Sequence, residues 1–320
     1  MEGNMAKEVK PYQDFLTTQV AIMKYKFDYS QKEIAKKLDI SQMTVSRLID
    51  RARKIGIVQV SVHTPIENVW DMEKQLENRF SLKKAIVFRN RYNEDPVQLV
   101  GRAAAEYLDF LIGPDDMLGV SAGRTLAQVI PHLRLPMRKE GHTPTVVQLE
   151  GGFTTSESFN PVSILQQFVS QSGVKGYFFN LPIYAKTIEA HEAVNAHMIL
   201  DPMINRWKKI DIALAAVGNS GEESIYRISG VLEKEEMEEL IQKGAVGSIY
   251  ARWYNIKGEF IDSDVNKRVF GIPLEIARNI PKRILITAGT HKIQAIKGGL
   301  NTHLCDIILT EETTAAKLLS

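Results

Sequence analysis

Over residues 1–62 the apolar positions recur at the three-to-four spacing of amphipathic helices. One such stretch runs from about Tyr12 to Tyr25. A second follows Ser30, a residue suited to capping a helix start, and puts Ile34, Ala35 and Leu38 on one face. A third follows Ser41, with Val45, Leu48 and Ile49 facing inward. Between the last two stand Asp39 and Ile40, enough for a tight turn between crossing helices and nothing more. Ala35 is small where those helices approach, and Ile40 is apolar where the turn must plug the core. Asp39 takes the turn position where glycine is usual, and aspartate tolerates the left-handed backbone better than most residues. Ile57 to Val62 then alternates in the manner of a strand, as a wing would.

From Thr64 to about Lys74 the pattern reads as a linker and the start of a connecting helix. Beyond it, short apolar runs suited to buried strands alternate with helical stretches. The strands are expected at Ala85–Phe88, Met117–Val120, Val146–Leu149, Ile212–Val217, Ile284–Thr287 and Ile307–Leu309. The helices are expected at Val97–Leu111, Leu126–Leu133, Val162–Ser172, Glu233–Lys243 and Ile293–Leu300. Such alternation predicts a doubly wound, mainly parallel α/β domain with helices on both faces of its sheet. The chain therefore divides, on this reading, into a helix-turn-helix (winged-helix-like) domain over residues 1–63 and an α/β domain over 64–320.

Charge sharpens that division. The whole chain carries a net charge of +2. Residues 1–62 hold eleven Lys/Arg against seven Asp/Glu, and the rest hold twenty-nine against thirty-one. A basic segment joined to a slightly acidic one points to a nucleic-acid module attached to a domain with another task. In a helix-turn-helix the second helix enters the major groove of double-stranded DNA. Gln42, Met43, Thr44, Ser46 and Arg47 lie near its start, where base edges are reached. Gln and Arg suit bidentate contacts to adenine and guanine, while Thr and Met pack on a thymine methyl. Lys36, Lys37, Arg51, Arg53 and Lys54 are placed for phosphates.

Ligands of doubly wound folds sit outside the carboxyl ends of the strands. Four of those exits are rich in glycine and hydroxyls: Ser121–Thr125, Glu150–Ser156, Gly218–Gly221 and Ala288–Lys292. Glycine lets backbone N–H groups approach an anion, and Arg124 and Lys292 end two of the loops with a cation. The ligand expected is phosphorylated or polyhydroxylated. No Walker A or dinucleotide fingerprint occurs, so no nucleotide cofactor is expected. His191 and His197 are six apart, the wrong interval for two metal ligands on one helical face. The single cysteine, Cys305, lies in an apolar run and reads as a core residue of a protein kept in a reducing cytoplasm. No apolar run is long enough for a membrane span. The alternative is a sugar-phosphate isomerase-like enzyme with a helical extension, for which Glu150, Asp262 and His291 are the available acid–base groups. They form no spaced pair or cluster, so no catalytic residue is assigned.

The chain resembles the SorC family of bacterial sugar-responsive regulators over nearly its whole length. The segments that carry the likeness are the helix-turn-helix at residues 31–50, Gly119–Leu126, Leu149–Gly152, Asp211–Gly218, Gly244–Ile249, Ala288–Ile296 and Leu309–Leu319. The resemblance implies an effector domain similar to the sugar-phosphate isomerase and CoA-transferase fold, in a homo-oligomer (dimer or tetramer) that binds a phosphorylated sugar. Carried over by position, Ser121, Gly123, Arg124 and Thr125 form the phosphate-facing loop, with Gly151, Gly152, Thr154 and Thr155 opposite. Lys292 closes the site, and Asp262 is the candidate for the sugar hydroxyls. Ser248 stands where the family commonly has an acidic residue.

Overall fold

Ser30 and Ser41 both start helices, and both do so with their side chains. Ser30 Oγ accepts the N–H of Glu33, whose carboxylate returns to the N–H of Ser30, closing a capping box at the start of α2 (Gln31–Leu38). Ser41 Oγ accepts the N–H of Thr44 at 3.1 Å and caps α3 (Gln42–Lys54). Between them Asp39 adopts the left-handed conformation, φ 51°, and the N–H of Ile40 closes on the carbonyl of Ala35 at 3.1 Å. The longer α1 (Val9–Tyr25) packs across both. Val20, Ile34, Ala35, Val45, Leu48 and Ile49 form the small core they share, with Ile40 plugging the turn.

The computed structural model describes residues 9–59, 67–90, 94–135, 143–155, 157–197 and 200–320. It divides into two compact units, Met1–Pro65 and Ile66–Ser320. Of the expected wing, residues 60–62 lie outside the described residues, and residues 57–59 form no strand.

The second unit opens with α4 (Glu67–Phe80), β1 (Lys84–Phe88), α5 (Pro96–Leu111), β2 (Met117–Val120) and the short α6 (Arg124–Ala127). Then come β3 (Thr145–Gln148), α7 (Pro161–Ser172), β4 (Lys175–Tyr177) and β5 (Ile212–Ala215). An excursion carries β6 (Gly218–Asn219), β7 (Gly247–Ile249) and β8 (Arg252–Tyr254) before β9 (Lys282–Ile286) and β10 (Ile307–Glu311). Seven strands pair in parallel in the order β1-β10-β9-β5-β2-β3-β4, and β6-β7-β8 make a small antiparallel sheet.

The large sheet is buried on both faces, which is why its strands read as unbroken apolar runs. Val146, Ile212, Leu214, Ile284, Ile286 and Leu309 face the cluster built by α5, α6 and α7. Val147, Ala213, Leu285 and Ile308 face the other, built by α4 and the helices Asp201–Trp207, Ile293–Asn301 and Glu312–Leu319. From β2 the chain winds outward through β3 to β4 over the first face. From β5 it winds the opposite way through β9 to β10, and the helix joining those two lies on the second face. The direction therefore reverses between β2 and β5, the position at which such sheets open a crevice.

Two expectations need correction. Leu126–Leu133 is not one helix: α6 ends at Ala127 and a 3₁₀ turn covers Ile130–His132, because Pro131 has no N–H with which to continue the ladder. The run Ile212–Val217 leaves the sheet after Ala215, where the next N–H, that of Ala216, goes to Ser121 Oγ at 3.2 Å.

Candidate functional site

On the first unit the outward face of α3 presents Gln42, Met43 and Arg47, with Thr44 and Ser46 half-buried beside them. Met43 is 75% exposed, although a side chain of that size ordinarily goes inward. The helix is anchored from beneath by Val45, Leu48 and Ile49, so the exposed side chains ride on a rigid support. Thr44 Oγ1 lies 2.8 Å from Ser41 Oγ, so its hydroxyl is engaged at the helix start. Lys36 is exposed on α2. Arg51 instead bonds Asp14 of α1 at 2.7 Å, so its guanidinium braces two helices of the unit. Arg53 is similarly engaged, its Nε donating to the Tyr25 hydroxyl at 3.1 Å.

On the second unit, chain leaving five strands meets in a cleft of about 420 Å³ at the carboxyl edge of the sheet. After β1 come Asp95, Val97 and Gln98, at the start of α5. The β2 exit contributes Arg124 and Gln128, and the chain beyond β5 contributes Glu223. His291 and Lys292 follow β9. Ser158 and Phe159 complete the wall. Arg124 is held by its Nη2, which donates to the main-chain oxygen of Glu223 at 2.7 Å. Lys292 is only 7% exposed. Burial, and Arg124 beside it, push its ammonium down to about 8, with Glu223 opposing the shift. His291 is lowered for the same reasons, burial first and then Lys292. A cluster of cations that burial makes reluctant to carry charge is one that an incoming anion stabilises.

Of the residues expected in this site, Arg124 and Lys292 line the cleft. Ser121 and Thr125 are buried behind it; Ser121 Oγ accepts from Ala216 and donates to the Ala122 carbonyl at 3.1 Å, tying the β2 and β5 exits together. Gly123 is required by closeness, since a Cβ there would stand 2.5 Å from that of Ala216. The glycines after β3 are a correction. The N–H of Gly151 goes to the Phe270 carbonyl and that of Gly152 to the Leu181 carbonyl, each at 2.8 Å, so neither is left to cradle an anion. A Cβ at Gly151 would meet the Pro182 oxygen at 2.2 Å; packing, not ligand approach, demands that glycine. Thr154 is exposed and Thr155 half-buried, and neither lines the cleft. Asp262 is a second correction: its side chain is 88% exposed and pairs with Lys267 at 2.8 Å, away from the cleft lining.

Asp95, Gln98, Gln128 and Glu223 went unread in the sequence. Asp95-Pro96 was a signal, because a capping residue before proline marks a helix start directly after the first strand. Glu223 had none, being brought in by the path of the chain beyond β5.

Glu150 Oε2, Thr155 Oγ1, Ser224 Oγ and Thr287 Oγ1 are buried without a hydrogen-bond partner among the described residues. All four lie on chain leaving β3, β5 or β9 at the carboxyl edge. Buried polar atoms are ordinarily satisfied, so this edge is polar beyond what the fold requires. Glu150 is the extreme case. Its Oε1 accepts the N–H of Ala122 at 2.6 Å, yet burial outweighs that bond and the pull of Arg252, and pushes its carboxyl up to about 7.

Residues 64–320 match the Sugar-bind family, whose description is "Putative sugar-binding domain", and residues 18–54 match sigma-70 region 4. The deoxyribonucleoside regulator of Bacillus subtilis is 30% identical over 95% of this chain and 97% of its own. The sorbitol operon regulator of Klebsiella pneumoniae is 25% identical, over 95% and 97%. The crystal structure of that full-length regulator superposes with a TM-score of 0.72 at 24% identity, covering 95% of this chain and 98% of its own. Among the described residues no helix is long and apolar enough to cross a membrane.

Proposed function

The chain belongs to the SorC family of DNA-binding, sugar-responsive transcription regulators, and from that premise we propose that its effector is a phosphorylated sugar bound in the cleft between Arg124 and Lys292. The observation that carries this reading is the convergence of Arg124 and Lys292, from the exits of two different strands, on one cleft at the reversal point of the sheet. A guanidinium forms a planar fork suited to phosphate oxygens, and an adjacent buried ammonium adds a second charge. The cleft of about 420 Å³ is of the size that small-molecule sites have.

Operator DNA is read by α3, with Gln42, Met43, Thr44, Ser46 and Arg47 toward base edges and Lys36 toward phosphate. Arg51 serves chiefly as the brace to Asp14. The protein acts in the cytoplasm as a homo-oligomer, a dimer or tetramer, which sets two copies of α3 on half-sites about 34 Å apart or a multiple of that. The effector alters DNA affinity to the extent that it binds the two arrangements of subunits unequally.

The test is a thermal-shift panel of sugar phosphates, each paired with its unphosphorylated sugar. It includes the phosphates of deoxyribose, sorbitol and erythritol, because relatives are named for deoxyribonucleoside, sorbitol and erythritol regulation. A ligand at 100 times its Kd adds about 2.7 kcal/mol and raises Tm by a few degrees. A shift with phosphate esters alone is the expected result. A shift with free sugars alone would exclude the phosphate reading.

A further inference from the structure

The cleft is not uniformly basic. Glu223 stands in its wall with Arg124, His291 and Lys292, and it opposes the depression of both the His291 and the Lys292 pKa. The residue is exposed, so water hydrates its carboxylate until a ligand replaces that water, and Arg124 spends its Nη2 on the main-chain oxygen of Glu223 rather than on the carboxylate. The Glu223 carboxylate makes no ion pair or hydrogen bond among the described residues. Asp95, the other acid of the cleft, is occupied in capping α5, where it accepts the N–H of Val97 at 3.3 Å. The cleft thus holds cations and one uncommitted acceptor apart from each other, within a volume that a small ligand fills. A bare anion has no use for that acceptor and is repelled by it. A ligand anionic at one end and rich in hydroxyl donors at the other satisfies both parts.

We propose that Glu223 is a specificity-determining residue that accepts hydrogen bonds from the hydroxyl groups of the effector, so that the cleft selects phosphate monoesters bearing a polyol or sugar end over simple phosphate monoesters. The proposal rests on the cleft being a phosphate site. The fixed Arg124–Glu223 main-chain bond sets the span between the phosphate-binding and hydroxyl-binding ends.

The probes are methyl phosphate and glycerol 3-phosphate, which share the phosphate monoester, the second adding a two-carbon end that bears two hydroxyls. Calorimetric titration of the full-length wild-type protein is expected to favour glycerol 3-phosphate by about tenfold, the scale of a hydrogen bond to a charged group. Glu223→Gln should bring the two esters to within about twofold, while binding methyl phosphate as tightly as the wild type or more tightly. Arg124→Ala should weaken both alike. A wild type without preference, or a preference that survives in Glu223→Gln, would overturn the proposal and leave the phosphate site standing. Failure of the wild type to bind either ester would overturn the phosphate reading and the proposal with it.

Discussion

The two units place their polar residues in opposite ways. In the first, Ser30, Glu33 and Ser41 are consumed in capping, Asp39 in the turn and Arg51 in a bridge, while Gln42, Met43 and Arg47 stand on a convex, exposed face. In the second, Glu150, Lys292, Ser224 and Thr287 are buried at a concave edge, several with atoms that no neighbour among the described residues satisfies. A DNA-reading surface needs rigid display, and water satisfies its polar groups until a base edge replaces that water. A small-molecule site needs desolvated groups whose partners arrive with the ligand. The cost of that second arrangement falls on stability, and its dependence on pH distinguishes the two units.

The largest expected effect follows from Glu150. Its carboxyl is raised in the folded state from 4.5 to about 7, so between those values the folded protein binds more protons than the unfolded chain, and stability falls as pH rises. At about 1.4 kcal/mol per pKa unit the change is on the order of 3 kcal/mol. Lys292 acts in another window and with the opposite sign: lowered from 10.5 to about 8, it makes stability rise as pH climbs between those values. Urea unfolding of wild type and Glu150→Gln at pH 5 and pH 8 tests this. The wild type should lose stability across that interval and the variant should lose much less. An equal loss in both would remove Glu150 from the account.

Next in size is the convex face. Arg47→Ala should weaken binding to the preferred duplex by about 1–3 kcal/mol and relax selectivity at one base position. An equal loss on random DNA would make Arg47 a phosphate contact. Ser41→Ala removes the cap of α3 and should cost about 1 kcal/mol in the unfolding of the first unit, with effector binding unchanged. The smallest effect is expected at Asp262. Because its pairing with Lys267 is exposed, Asp262→Ala should alter neither stability nor effector affinity by more than about 0.5 kcal/mol. A larger loss of affinity would return Asp262 to the site.

The same contrast explains what was legible in the sequence. The helix-turn-helix is local, and the caps at Ser30 and Ser41 and the turn at Asp39 are all stated within residues 30–54. The apolar strands of the parallel sheet were legible because burial on both faces leaves a continuous run. By contrast β4 is three residues with glycine in the middle, too short and too polar to register. The β7–β8 hairpin turns through Tyr250 and Ala251, both at positive φ, where glycine or asparagine is the usual signal. Arg124 and Lys292, which both line the cleft, were legible as candidates because each ends a glycine-containing loop at a strand exit. Asp262 was placed by its position in a family pattern and lies away from the cleft, whereas Glu223 lines it and is brought there by the path of the chain.

The most direct test joins the two units in one titration. Fluorescence anisotropy would follow a duplex, selected from a random pool by the wild-type protein, as the phosphate ester identified in the thermal panel is added to wild type and to Arg124→Ala. Both proteins should bind the duplex equally well without the ester, and the ester should change the affinity of the wild type alone. A normal response from Arg124→Ala, or a loss of its DNA binding before any ester is added, would contradict the assignment of reading to α3 and sensing to the cleft.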